Sequence, residues 1–102
     1  MGGQRPTLST SDVRRILRNA RFEKKRTKGS HETWEGYVRA KRRVVTLDDN
    51  CAPFTPRNPM TKSMINQSGL TPDEFYGLLD GAAAVDAALF ARATPEPDAA
   101  GD

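Results

Sequence analysis

Arg21-Phe22-Glu23-Lys24-Lys25-Arg26-Thr27-Lys28-Gly29-Ser30-His31-Glu32-Thr33-Trp34-Glu35-Gly36-Tyr37 is the stretch on which the fold turns. Phe22 to Thr27 is too short and too charged for a core helix, so it reads as a strand anchored by Phe22. Lys28-Gly29 supplies a turn. Ser30 to Tyr37, with Thr33, Trp34 and Tyr37, has the β-branched and aromatic content of a second strand that ends near Gly36. Arg43-Val44-Val45-Thr46-Leu47 is a third strand signal, and three strands with short connections predict an antiparallel meander. On a period of two, Trp34 and His31 fall on opposite faces, so an inward Trp34 turns His31 outward.

Helical signals flank this meander. Ser9 can cap a helix with Asp12 as its capping-box partner, and Leu8 can staple against Val13. Val13, Ile16, Leu17 and Ala20 recur at i, i+3, i+4 and i+7 as one apolar stripe, with Arg14, Arg15, Arg18 and Arg21 largely off it. Downstream, Asp48 to Arg57 reads as a loop, because Pro53 and Pro56 block regular pairing. Asn58-Pro59 then opens a helix with Met60, Met64 and Ile65 on its inner face and Gly69 as its stop. Thr71-Pro72-Asp73-Glu74 is a further helix start, with Leu70 placed to staple against Phe75.

The order predicts an α+β fold, α-β-β-β-α, with a three-stranded antiparallel sheet covered on one face by helices. It is the topology of double-stranded-RNA-binding domains. Residues 1–7 read as a flexible N-terminus, 8–80 as the domain, 81–93 as a helical extension and 94–102 as a disordered tail. Ile16, Leu17, Phe22, Trp34, Ile65 and Phe75 are the predicted shared core.

The 102 residues suffice for one small domain. With 36% hydrophobic and 28% charged residues, the chain reads as an ordinary globular one. The longest apolar stretch, Ala82 to Ala91, is broken by Asp86 and falls below the roughly 18 residues of a membrane span. No signal-peptide pattern is seen, so the expected location is cytoplasmic, without a membrane partner. A single cysteine, Cys51, excludes an internal disulfide, and one histidine leaves no four-ligand zinc pattern, so neither metal nor cofactor is expected. The net charge of +3 conceals an asymmetry: residues 1–46 hold 13 basic and 4 acidic side chains, residues 47–102 hold 3 basic and 9 acidic. Such a basic half points to an anionic partner.

His31, at the end of the basic run, is of the side-chain type that exchanges protons near neutrality. Cleaving RNA at its own 2′-hydroxyl needs a base, an acid and cations around the phosphate. His31 is the catalytic candidate, and Lys25, Arg26, Lys28, Gly29 and Ser30 are the RNA-binding candidates. Lys25, Arg26 and Lys28 are the cations, and Gly29 either adopts a positive φ or lets a phosphate approach the backbone. Ser30 either orients His31 or is only a turn residue. The second proton carrier is then water, a lysine or a carboxylate such as Glu32. The same residues also fit a non-catalytic RNA-binding domain, or a module whose basic half docks an acidic protein.

The chain resembles the HicA family of toxin ribonucleases of bacterial toxin–antitoxin modules. The resemblance runs from Leu8 to Leu79. It is carried by Val13, Ile16 and Leu17, by Phe22 and the basic strand, by Lys28-Gly29-Ser30-His31 with Trp34, and by Arg43-Val44-Val45. Its last carrier is Lys62-Ser63-Met64-Ile65-Asn66-Gln67-Ser68-Gly69-Leu70-Thr71-Pro72-Asp73-Glu74-Phe75. It implies a fold similar to double-stranded-RNA-binding domains, cleavage of messenger RNA by the Gly-Ser-His histidine, here His31, and neutralisation by a HicB-like antitoxin. Many members carry a second histidine after the third strand, where this chain has Thr46-Leu47-Asp48-Asp49-Asn50.

Overall fold

A computed structural model describes residues 5–82 and 85–91. The first helix, α1 (Thr10–Asn19), starts as its sequence dictates. The Ser9 hydroxyl accepts from the Asp12 amide at 3.0 Å and the Asp12 carboxylate accepts from the Ser9 amide at 2.9 Å, closing the capping box. Val13, Ile16 and Leu17 are buried. The helix ends without glycine: Arg21 takes φ 66°, and the Phe22 amide donates back to the Leu17 carbonyl at 2.9 Å. That is a Schellman ending, with Phe22 folded onto the last turn of the helix.

Phe22 therefore finishes the helix rather than anchoring a strand. Strand β1 is Glu23–Lys28, β2 is His31–Val38 and β3 is Lys41–Asp48, joined in the order β1-β2-β3, antiparallel throughout. The first turn is Gly29-Ser30, one residue later than expected, with Gly29 at φ 61° in the first central position, as a II′ hairpin requires. The second is Arg39-Ala40, both at positive φ, which makes β3 begin before Arg43. Opposite Trp34 and Thr33, β1 carries one extra residue, Lys25, as a bulge.

Period-two alternation sorts the sheet into two faces. Glu32, Trp34 and Val38 of β2 and Val45 and Leu47 of β3 are buried; His31 is on the other side. Phe22 lies against Gly36, whose missing side chain makes room for its ring.

Helix α2 (Pro59–Ser68) is capped by Asn58, which accepts from the Met60 amide at 2.9 Å, and is stopped by Gly69 at φ 76°. The Gln67 side chain accepts from the Thr46 amide at 3.0 Å, so α2 covers the outer edge of β3. Met64 is buried, while Met60 and Ile65 are only half-buried at the margin of the core. Helix α3 (Pro72–Gly77) opens with a second capping box, Thr71 with Glu74, and buries Phe75. The molecule is thus α+β with a three-stranded antiparallel sheet and helices in the α-β-β-β-α arrangement.

The proline-rich connection is more ordered than a loop. Asp49–Cys51 is a 3₁₀ turn, and Phe54 bridges Leu8 through a reciprocal pair of backbone bonds at 2.9 and 2.8 Å. Within the helix anticipated over 81–93, Ala87–Phe90 is a 3₁₀ turn. It returns to the β2–β3 hairpin, where Arg39 donates its amide to the Leu89 carbonyl at 2.8 Å and Phe90 is buried. The expected N-terminal residues 1–4 and the tail from 94 lie outside the described residues. Among those described, no helix is long and apolar enough to cross a membrane.

Candidate functional site

Alternation along β2 separates its two most distinctive side chains. Trp34 is 2% exposed, whereas the His31 side chain is 59% exposed on the open face. His31 is the first residue of β2, so the Gly29-Ser30 turn and the register of both hairpins decide its neighbours. Lys28 pairs with it across β1 and Asp48 across β3. The row Lys28–His31–Asp48 therefore runs across all three strands on one face.

Asp48 is held in a small polar ring. Its Oδ1 accepts from the Ser30 hydroxyl at 2.8 Å and from the Asn50 amide at 3.0 Å. The Asn50 side-chain amide donates to the Ser30 Oγ at 3.0 Å. Oδ2 lies 3.3 Å from His31 Nε2 and 3.7 Å from Cys51 Sγ. The Ser30 hydroxyl, above all, holds the Asp48 carboxyl below its usual range, helped by the Asn50 amide and opposed by partial burial. Partial burial and the neighbouring Asp48 carboxylate push the Cys51 thiol up, which disfavours a thiolate nucleophile.

The RNA-binding candidates separate in space. Ser30 and Lys28 adjoin His31, and Arg26 stands one row away, opposite Thr33 on the same face. Gly29 has the positive φ expected, and a Cβ there would meet nothing within 4 Å, so the turn is open on its outer side. Lys25 occupies the bulge and pairs with Glu23 at 2.9 Å. It lines a cavity of about 370 Å³ with Arg21, Tyr37, Arg42 and Phe90, near the opposite end of β2 from His31.

Glu32 is not available as the second proton carrier. It belongs to the buried face, 5% exposed, where Arg14 Nη2 donates to Oε2 at 2.5 Å and Trp34 Nε1 donates to Oε1 at 3.0 Å. The Arg14 bonds hold this carboxyl below the usual range, so it stays an ionised structural group. Trp34 itself is core, with the Arg18 guanidinium 5.7 Å above its ring, and offers no face to a base.

Asp48 is the residue that sequence reading missed. Its only signal was a carboxylate at the end of a predicted strand, assigned to a loop; its closeness to His31 follows from hairpin register. Among the described residues, no group of three or more His, Cys, Asp or Glu side chains is placed to hold a metal ion. No family model, curated protein or solved structure matches the chain.

Proposed function

We propose that this protein is a HicA-like endoribonuclease toxin of the cytoplasm that cleaves messenger RNA with His31 as its acid–base group and without a metal ion. The observation that carries this reading is the exposed His31 standing between Lys28 and Asp48 on the open face of a sheet whose outer strand is basic. All six residues of β1 are exposed. Arg26 and Lys28, on the His31 face, are positioned to neutralise successive phosphates of a single strand.

In this mechanism the His31 imidazole takes the proton of a ribose 2′-hydroxyl. The 2′-oxygen bonds to the adjacent phosphorus and the phosphorus–5′-oxygen bond breaks. The leaving oxygen receives its proton from Lys28 or from water, since Glu32 is sequestered on the other face. The products are a 2′,3′-cyclic phosphate and a 5′-hydroxyl end. General acid–base catalysis of this kind contributes on the order of 10²–10⁴-fold. A HicB-like antitoxin, the partner that the resemblance implies, would act by covering the same face.

The test is RNA cleavage by the parent chain and by His31→Ala, with EDTA present. Cleavage by the parent alone, leaving cyclic phosphate ends, supports the reading. Equal cleavage by both proteins rejects the role of His31. Binding without cleavage by the parent replaces the enzyme with an RNA-binding domain, a reading that the exposed basic strand also favours.

A further inference from the structure

The geometry points to Asp48 as the positioning residue of His31: its carboxylate faces Nε2 at 3.3 Å and favours the ring proton there, leaving Nδ1 as the nitrogen that exchanges protons with RNA. This inference rests on the nuclease reading and gives Asp48 a role that the reading does not assign. Three observations carry it. Asp48 Oδ2 lies 3.3 Å from Nε2, from the adjacent strand and in register. Asp48 cannot swing away freely, because its other oxygen is held by the Ser30 hydroxyl at 2.8 Å and the Asn50 amide at 3.0 Å. Asp48 is also mostly covered, its side chain 16% exposed, while the imidazole it faces is open to solvent.

A carboxylate at Nε2 keeps the proton of the neutral ring on that nitrogen, so the lone pair is on Nδ1. When Nδ1 takes the 2′-hydroxyl proton, the carboxylate stabilises the resulting imidazolium without taking a proton itself. Ser30 then acts on His31 through Asp48, as the support of the support.

The support also determines what an asparagine would do at this position. The Asn50 amide is a donor that only an oxygen can satisfy, so Asp48→Asn would keep Oδ1 there and turn its NH₂ toward His31 Nε2. An N–H facing Nε2 forces the ring proton onto Nδ1. The base would then face the wrong way, with the fold unchanged.

The experiment uses the full chain labelled with ¹⁵N-histidine; His31 is the only histidine, so one imidazole is seen. Above neutral pH the parent should show Nε2 protonated and Nδ1 bare, and Asp48→Asn should show the reverse. In parallel, kcat for RNA cleavage should fall by roughly 100-fold in Asp48→Asn, within the range that acid–base catalysis supplies, with KM within about twofold. Asp48→Ala should lose the single preferred tautomer and a similar share of kcat. Ser30→Ala, which removes one support but no charge, should lose less. RNA left intact by the parent overturns the nuclease reading, and the catalytic role of Asp48 with it. RNA cut equally well by folded Asp48→Asn, or an unchanged tautomer in that variant, overturns the positioning role alone.

Discussion

Gly36 and Thr61 show how much single positions in this small core are constrained. A Cβ at Gly36 would lie 2.7 and 2.8 Å from two ring carbons of Phe22 and 3.1 Å from its Cα. Phe22 cannot yield, because it is buried and its amide closes the end of α1. Gly36→Ala is therefore expected to cost about 1–3 kcal/mol, the usual range for overpacking. Urea unfolding measures it, and a midpoint equal to the parent's would refute the packing. Thr61 is the reverse case. Its hydroxyl is buried with no hydrogen-bond partner among the described residues. Thr61→Val has nearly the same shape and removes the unsatisfied group, so it should stabilise the protein by up to about 1 kcal/mol. A clear loss on thermal melting would mean that the hydroxyl has a partner in solution.

Among the elements, β1 is the one whose exposure calls for a functional reading. It is an edge strand with all six side chains exposed, a bulge at Lys25 and three lysines, features that deter pairing with another chain's edge. If it grips RNA, affinity should fall steeply with salt. Arg26→Glu and Lys28→Glu should each weaken binding to many sequences alike and lower the salt slope by about one. Lys25→Glu should matter less, since Glu23 already neutralises Lys25. Fluorescence anisotropy over a salt series reads all three, and affinity indifferent to salt would favour docking of an acidic protein instead. The 3₁₀ turn Ala87–Phe90 makes a separate prediction. Phe90 is buried against the hairpin end, so Phe90→Ala should destabilise the fold by about 3 kcal/mol on urea unfolding. A negligible change would show that this turn is not docked.

Over the whole molecule, two carboxylates tie elements distant in sequence. Glu32 joins β2 to α1 through Arg14, and Glu74 joins α3 to the β2–β3 turn through Arg39, with bonds of 3.0 and 2.8 Å. Both carboxyls are held below their usual range, chiefly by their arginine partners. At pH values between the lowered folded pKa and the ordinary value of about 4.3, the unfolded chain binds more protons. Stability therefore rises with pH through that window. The contribution is complete above the ordinary value and is lost as pH falls through the folded pKa. Urea midpoints measured from pH 7 to pH 2 should show this slope. Glu32→Gln with Glu74→Gln should flatten it and lower the neutral plateau, by on the order of 2 kcal/mol for the buried Glu32 and by no more than about 1 kcal/mol for the partly exposed, solvent-screened Glu74 pair. The parent's slope surviving intact in the double variant would place the acid sensitivity elsewhere.

What the sequence by itself determined was mainly the hydrogen-bond chemistry set within a few residues. The capping boxes at Ser9 and Thr71, the Asn58 cap and the Gly69 stop are local hydrogen-bond chemistry, and each stands where its residues placed it. The alternation of β2 likewise sent Trp34 inward and His31 outward, because side chains on a strand have no other choice. The end of α1 was less legible, since Arg21 occupies a left-handed position where glycine is the usual signal. The neighbours of each outward or inward side chain were decided only in the tertiary structure. Asp48 meets His31 because the Arg39-Ala40 turn sets the register of β3 on β2. Glu32, equally close to His31 in sequence, is lost to it because Arg14 arrives from α1 on the buried face. Strand register and helix docking are settled by free energy summed over the whole core, so no single window of sequence contains them.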